Sequence, residues 1–137
     1  MGLFKSSAKN FGIEGYVTYT GQLDTVFPYL ASCDFAIHPS KGEVGYSLSI
    51  LEYMQAGLPV IVSDNPSVCG ATLDGVNGCI YKEGDLLDAT SKVAQLLSSP
   101  ELINIMGGRA KQLVFEKYRL SDTHDQLLQA VSAITST

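Results

Sequence analysis

The residues whose types and spacing carry the most chemistry lie in one stretch, HPSKGEVGYSLSILEYMQAGLPVIVSD, residues 38 to 64. It reads as a strand end, a polar loop with two glycines, an apolar helix opened by Ser47 and stopped by Gly57, and a second strand. A helix N-terminus leaves backbone N–H groups unpaired and carries partial positive charge, so the loop feeding Ser47 can hold an anion such as a phosphate. Gly42 and Gly45 let the backbone approach a ligand, and Lys41 adds one positive charge. Glu52 lies five residues beyond Ser47, about 7 Å along a helix axis at roughly 1.5 Å per residue, and helical side chains lean back toward the N-terminus. Its two acceptor oxygens match the two donors of a vicinal diol such as a ribose 2′,3′ pair. One helix can thus hold both the diphosphate and the ribose of a nucleotide. With Ile50, Leu51 and Met54 around it, Glu52 reads as lining that pocket rather than as a residue of the outer helix surface. A capped helix after a flexible loop is the plain structural alternative.

The elements that must position these residues are legible on either side. After an amphipathic opening, Leu3 to Lys9, the stretch YVTYTG suggests a strand by its β-branched and aromatic residues. TVFPYLASC follows as a helix capped by Asp24 or Thr25, with Pro28 in its first turn. DFAIH reads as a short buried strand, LPVIVSD as a strand covered on both faces, and ATLDGVNGCIY as a turn leading into a fourth strand. Three helices close the chain, opened by Asp85, by Ser99 with Pro100 at the first position, and by Ser121, with Gly107 and Gly108 a potential break in the second. Strands alternating with helices predict an α/β fold, a Rossmann-like three-layer parallel sheet with helices on both faces. No internal repeat or linker interrupts it.

Composition narrows the class. The 137 residues fit one domain, and 45% hydrophobic with 17% charged residues is ordinary for a soluble globular protein. No apolar run is long enough to span a bilayer, and no secretory signal is evident, so a cytoplasmic location is expected. Cys33, Cys69 and Cys79 are odd in number and lack CxxC spacing, which argues for reduced, mostly packed thiols and against a disulfide framework or zinc site. The net charge of −5 disfavours a nucleic-acid surface, so an anionic ligand must be held locally. MGLFKS at the start matches a myristoylation pattern too short to weigh, and Pro66 disqualifies NPS as a glycosylation acceptor. His38, in HPS, suits a hydrogen-bonding role at a strand end better than proton transfer.

The blocks GYVTYTG, CDFAIHPSKGEVGYSLSILEYMQAGLPVIVSDN and DGVNGCIYKEGDLLDATSKVAQLLSSPELINIMGGRAKQLVFEKY resemble, in that order, the carboxyl-terminal domain of family 4 GT-B glycosyltransferases, the group 1 transferases. The resemblance covers nearly the whole chain. It implies the donor-binding part of a retaining enzyme that moves a sugar from a UDP-sugar or GDP-sugar to a glycan or lipid-linked acceptor, with no metal required. It places the family's ribose-binding glutamate on Glu52. It also places the segment that contacts the diphosphate and donor sugar on the backbone of Gly45, Tyr46, Ser47, Leu48 and Ser49, with Ser47 where Gly is common.

Three departures accompany the resemblance. The family's other motif glutamate, which contacts sugar hydroxyls, is expected at Val44, and Glu43 stands one place away as a shifted substitute. The Arg and Lys that balance the leaving diphosphate belong to a loop expected before Met1. The amino-terminal acceptor-binding domain, the partner that the resemblance implies, and the domain's first strands are expected to lie outside these residues. The expected chain is therefore a partial donor-binding domain, inactive alone, with a non-catalytic nucleotide-binding or α/β interaction module as the alternative. The family's sheet order, 3-2-1-4-5-6, would separate VTYT from DFAIH. Without the missing strands, VTYT must pair directly with DFAIH, borrow a strand from another copy, or leave open edges that invite self-association. Peripheral membrane association is compatible with a lipid-linked acceptor for the whole enzyme.

Overall fold

The computed structural model describes residues 2–42 and 47–135. Its centre is a three-stranded parallel sheet, β1 (Ala36–His38), β2 (Val60–Ser63) and β3 (Gly78–Tyr81), in the order β1-β2-β3. The register aligns Ile37 with Ile61 and Ile61 with Cys79. Among the described residues six α-helices surround or flank it: α1 (Gly2–Asn10), α2 (Phe27–Leu30), α3 (Leu48–Gln55), α4 (Leu86–Leu97), α5 (Pro100–Lys117) and α6 (Leu120–Thr135).

Every residue of β2 is buried, which is why Val60, Ile61 and Val62 form a continuous apolar run rather than an alternating one. Val60 and Val62 meet Ile50 and Met54 of α3 on one face, while Ile61 and Cys79 meet Leu96 of α4 on the other. The two packed faces make the expected three layers. Helix α5 serves both, placing Ala110 in the first cluster and Met106 in the second. Fully burying each large side chain of this kind stabilises the fold by about 1.5–3 kcal/mol.

The helix stops and starts are chemically explicit. Gly57, at φ +84, ends α3 by donating its amide to the Met54 carbonyl while Leu58 donates to Tyr53, the paired bonds of a Schellman motif. Asp85 caps α4 by accepting from the Asp88 amide, and Ser99 caps α5 by accepting from Leu102. Gly107 and Gly108 do not break α5. Gly107 is instead a contact point, since a Cβ there would collide with the Gly57 carbonyl oxygen.

Four expectations are corrected. Residues 17–20 form no strand and follow a 3-10 turn, Glu14–Tyr16. Their β-branched side chains find no neighbouring strand, and β propensity expresses itself only against one. Helix α2 is a single turn whose N-cap is Val26, with no side-chain cap from Asp24 or Thr25. Helix α6 begins at Leu120, one residue before the expected opening at Ser121. Cys33 is exposed, so of the three free thiols only Cys79 is buried and Cys69 is intermediate. The direct pairing of VTYT with DFAIH is also not adopted: among the described residues β1 pairs with β2 alone, and Ile37 at its centre is 48% exposed.

Candidate functional site

The carboxyl ends of all three parallel strands point to one edge of the sheet, where loops 39–42, 64–68 and 82–85 meet. Asn65 ties them together. Its Nδ2 donates to the Lys41 carbonyl at 2.9 Å and to Glu83 Oε2 at 3.2 Å, while its Oδ1 accepts from the Ser67 amide and hydroxyl. Asp64 accepts from the Glu83 amide at 2.9 Å, and Ser63 donates to the Ser40 carbonyl at 3.3 Å. The base of the glycine loop is therefore held by side chains of β2 and the turn after it. This role of Asn65 was missed in the sequence, although Asn-Pro-Ser is a sound signal for an Asx turn.

Ser47 occupies the N-cap of α3 in an extended conformation, as its sequence position predicts. Its carbonyl accepts from the amides of Ile50 and Leu51. Its hydroxyl makes no cap bond and lies 3.4 Å from His38 Nε2, which gives His38 the strand-end hydrogen-bonding role expected of it. Among the described residues no acceptor takes the amide protons of Leu48 and Ser49. Ser49 is half-buried and Leu48 is 74% exposed. Helix α4 differs: the Asp85 side chain fills its N-terminus, and Asp88 in the same turn accepts from the Lys82 amide, so carboxylates already occupy the place of an anion. Of these two helices, α3 has the open N-terminus.

Glu52 is exposed, and the expectation that its apolar neighbours shelter it is corrected. Ile50 and Met54 turn inward, at 2% and 0% exposure, and leave Leu48, Glu52 and Gln55 on the outer face at helical spacing. Tyr53, next to it, is half-buried and its ring lies 6.4 Å from that of His38. Burial pushes the Tyr53 phenol above its ordinary value, and the neighbouring Glu52 charge pushes it further. Lys41 is exposed on the loop after β1. Glu43, Gly45 and Tyr46, together with Val44, lie outside the described residues.

A cavity of about 620 Å³ lies on the α4 face of the sheet and reaches the loops 39–42 and 82–85 at the carboxyl edge. Its apolar walls are Ile37, Ile61, Tyr81, Leu86, Ala89 and Val93, and of the described candidate residues Lys41 reaches its rim. The cavity is mostly apolar, with Ser40, Lys41 and Thr90 as the polar donors on its wall, so the diphosphate chemistry is assigned to the open N-terminus of α3. Among the described residues no group of three or more His, Cys, Asp or Glu is arranged to hold a metal ion, and no helix is long and apolar enough to cross a membrane.

Comparison with known proteins matches residues 3–99, more than half of the chain, to the family described as glycosyl transferases group 1. The chain is 32% identical over 111 residues to N-acetyl-alpha-D-glucosaminyl L-malate synthase of Bacillus anthracis, covering 81% of this chain and 29% of that protein. It is 18% identical to the crystallised Anabaena HepE in complex with UDP, with a TM-score of 0.89 over 95% of this chain and 36% of that one. The crystallised C-terminal domain of the group 1 family protein LpcC from Francisella tularensis is 21% identical, with a TM-score of 0.74 over 85% of this chain and 60% of that domain.

Proposed function

The chain belongs to the glycosyl transferases group 1 family and carries part of a GT-B fold, and from that premise we propose that it binds the nucleotide diphosphate of a UDP-sugar or GDP-sugar donor. The whole enzyme would pass the sugar, with retention, to a glycan or lipid-linked acceptor bound by an amino-terminal domain. The observation that carries this reading is the N-terminus of α3: amides of Leu48 and Ser49 that no described residue accepts, at the carboxyl edge of a parallel sheet, with Glu52 on the outer face of the same helix. The UDP complex of HepE, a protein of the same fold, supports a uridine donor.

In this reading the backbone of Gly45, Tyr46, Ser47, Leu48 and Ser49 faces the diphosphate and donor sugar, and Glu52 accepts from the ribose hydroxyls. Lys41 adds charge from the loop, and Glu43 stands as the substitute for a carboxylate toward the sugar. As the glycosidic bond to the donor breaks, negative charge grows on the departing diphosphate. Amides and a cation aimed there stabilise the transition state without a metal. With the balancing Arg and Lys of the family outside this chain, we expect binding with little turnover.

Calorimetric titration with UDP and GDP tests the site. An exposed carboxylate competes with water for the diol, so Glu52→Ala should weaken UDP by about fivefold, the lower end of the 1–3 kcal/mol for an unmatched donor. Equal affinities for the two proteins would sink the ribose assignment. Val44, where the family has a glutamate, favours a second reading in which nucleotide binds but no sugar moves. Transfer assays with an acceptor domain supplied separate the two.

A further inference from the structure

We propose that His38 is a positioning residue that keeps the N-terminus of α3 open to an anion by holding the Ser47 hydroxyl aside. The inference rests on the reading of α3 as the diphosphate site and goes beyond it by assigning a residue outside the binding segment.

A serine at an N-cap ordinarily turns its hydroxyl oxygen inward to accept from the second or third amide of the helix. In α3 those amides belong to Ser49 and Ile50. The Ile50 amide is taken by the Ser47 carbonyl, which leaves the Ser49 amide as the natural partner of the hydroxyl. That bond is not made. The hydroxyl instead lies 3.4 Å from His38 Nε2. Were it free to cap, its oxygen would occupy the place in which a phosphate oxygen meets the first-turn amides, and a bound anion would first have to displace it. His38 can hold it aside because it is itself fixed, in register with Val62 at the end of β1 and with its ring beside Tyr53. Either imidazole protonation state serves, since Nε2 accepts from the hydroxyl when unprotonated and donates to it when protonated.

Two measurements separate this role from the site reading. The first needs no ligand: amide hydrogen exchange by NMR on the chain and on His38→Ala. Removing the imidazole frees the hydroxyl to cap, so the Ser49 amide should exchange at least about fivefold more slowly in His38→Ala, and the slowing should vanish in the His38→Ala/Ser47→Ala double variant. The second is UDP affinity. His38→Ala should weaken UDP by about threefold to tenfold, leave uridine unchanged, and have no effect when Ser47 is already alanine, while His38→Gln, whose amide extends to the position of Nε2, should restore binding. Unchanged exchange at Ser49 overturns the role of His38, as does a loss that is equal for uridine or that persists without the Ser47 hydroxyl. Slowed exchange combined with no response of the Leu48 and Ser49 amides to UDP in the unaltered chain overturns the site reading, and the anion role with it.

Discussion

Gly107 and Gly108 sit side by side in α5, and alanine at each should have opposite effects on stability. Any glycine inside a helix is less favourable than alanine by about 1 kcal/mol, so both substitutions start with that gain. At Gly108 nothing lies within 4 Å of the added methyl and the residue is exposed, so the gain should stand. At Gly107 the Cβ would collide with the carbonyl oxygen of Gly57 and lie 3.1 Å from its carbonyl carbon and 3.4 Å from Pro59 Cδ. The obstacle is backbone, held by the Schellman bonds that end α3, so no side-chain rotation relieves it. Overpacking of this kind costs about 1–3 kcal/mol, with the rigid obstacle placing it at the upper end, and subtracting the helix gain leaves roughly 2 kcal/mol of destabilisation. Urea unfolding followed by circular dichroism should therefore rank Gly108→Ala above the parent chain and Gly107→Ala below it, with the two variants separated by about 3 kcal/mol. Equal stabilities, or a stabilised Gly107→Ala, would refute the claim that α5 is seated against the end of α3 at this point.

Val44→Glu, which restores the family's sugar-facing carboxylate, should change affinity for UDP-sugar more than for UDP by calorimetry, because a carboxylate there accepts from sugar hydroxyls and meets the nucleotide only through repulsion of its phosphates. An equal change for both would remove position 44 from the sugar. The raised pKa of Tyr53 has a definite sign: the folded state holds the phenol proton more tightly than the unfolded chain, with its reference value of 10.0, so this group's stabilisation is complete below pH 10 and is lost as pH rises through the folded value. Tyr53→Phe should flatten the loss of stability above pH 10, and matching slopes would contradict the burial argument. Copies of the chain should associate through the unpaired edge of β1, giving a light-scattering mass that rises with concentration. Ile37→Lys should reduce it, as edge lysines do, and an extended chain supplying the upstream strands should both abolish it and raise the unfolding temperature. A monomer at every concentration would count against the open edge.

The core of the fold was legible because its signals are local. The unbroken apolar run of β2 announces burial on both faces, Asp85 and Ser99 announce the starts of α4 and α5, and Gly57 announces the end of α3. What was not legible depends on partners distant in sequence. Residues 17–20 have the composition of a strand but no neighbour to pair with, so their propensity goes unused. The helical phase of α3 depends on where α5 and β2 lie, and nothing near Glu52 in the sequence reveals that Ile50 and Met54 take the buried side. Gly107 looked like a helix break because a glycine required for close approach and one that weakens a helix are the same letter.

The distribution of exposed apolar residues separates what this chain completes from what it leaves open. Phe4, Phe11 and Tyr16 stand exposed in the amino-terminal segment, Ile37 on β1, and Leu127, Val131 and Ile134 on α6. The amino-terminal segment, β1 and α6 supply few of the buried residues of the core, although α4 and α5 also carry exposed apolar residues, Leu86, Leu87 and Phe115 among them. On the inner face of α3, Ile50 and Met54 are sealed against Val60, Val62 and Ala110, all from this chain, and the loop before it is held by Asn65 from the turn after β2. The candidate nucleotide site thus rests on contacts that the chain supplies itself, whereas the surfaces beside β1 do not. In the proposed reading, binding of the nucleotide therefore rests on α3, His38, Ser47 and Glu52, which are positioned by contacts within this chain.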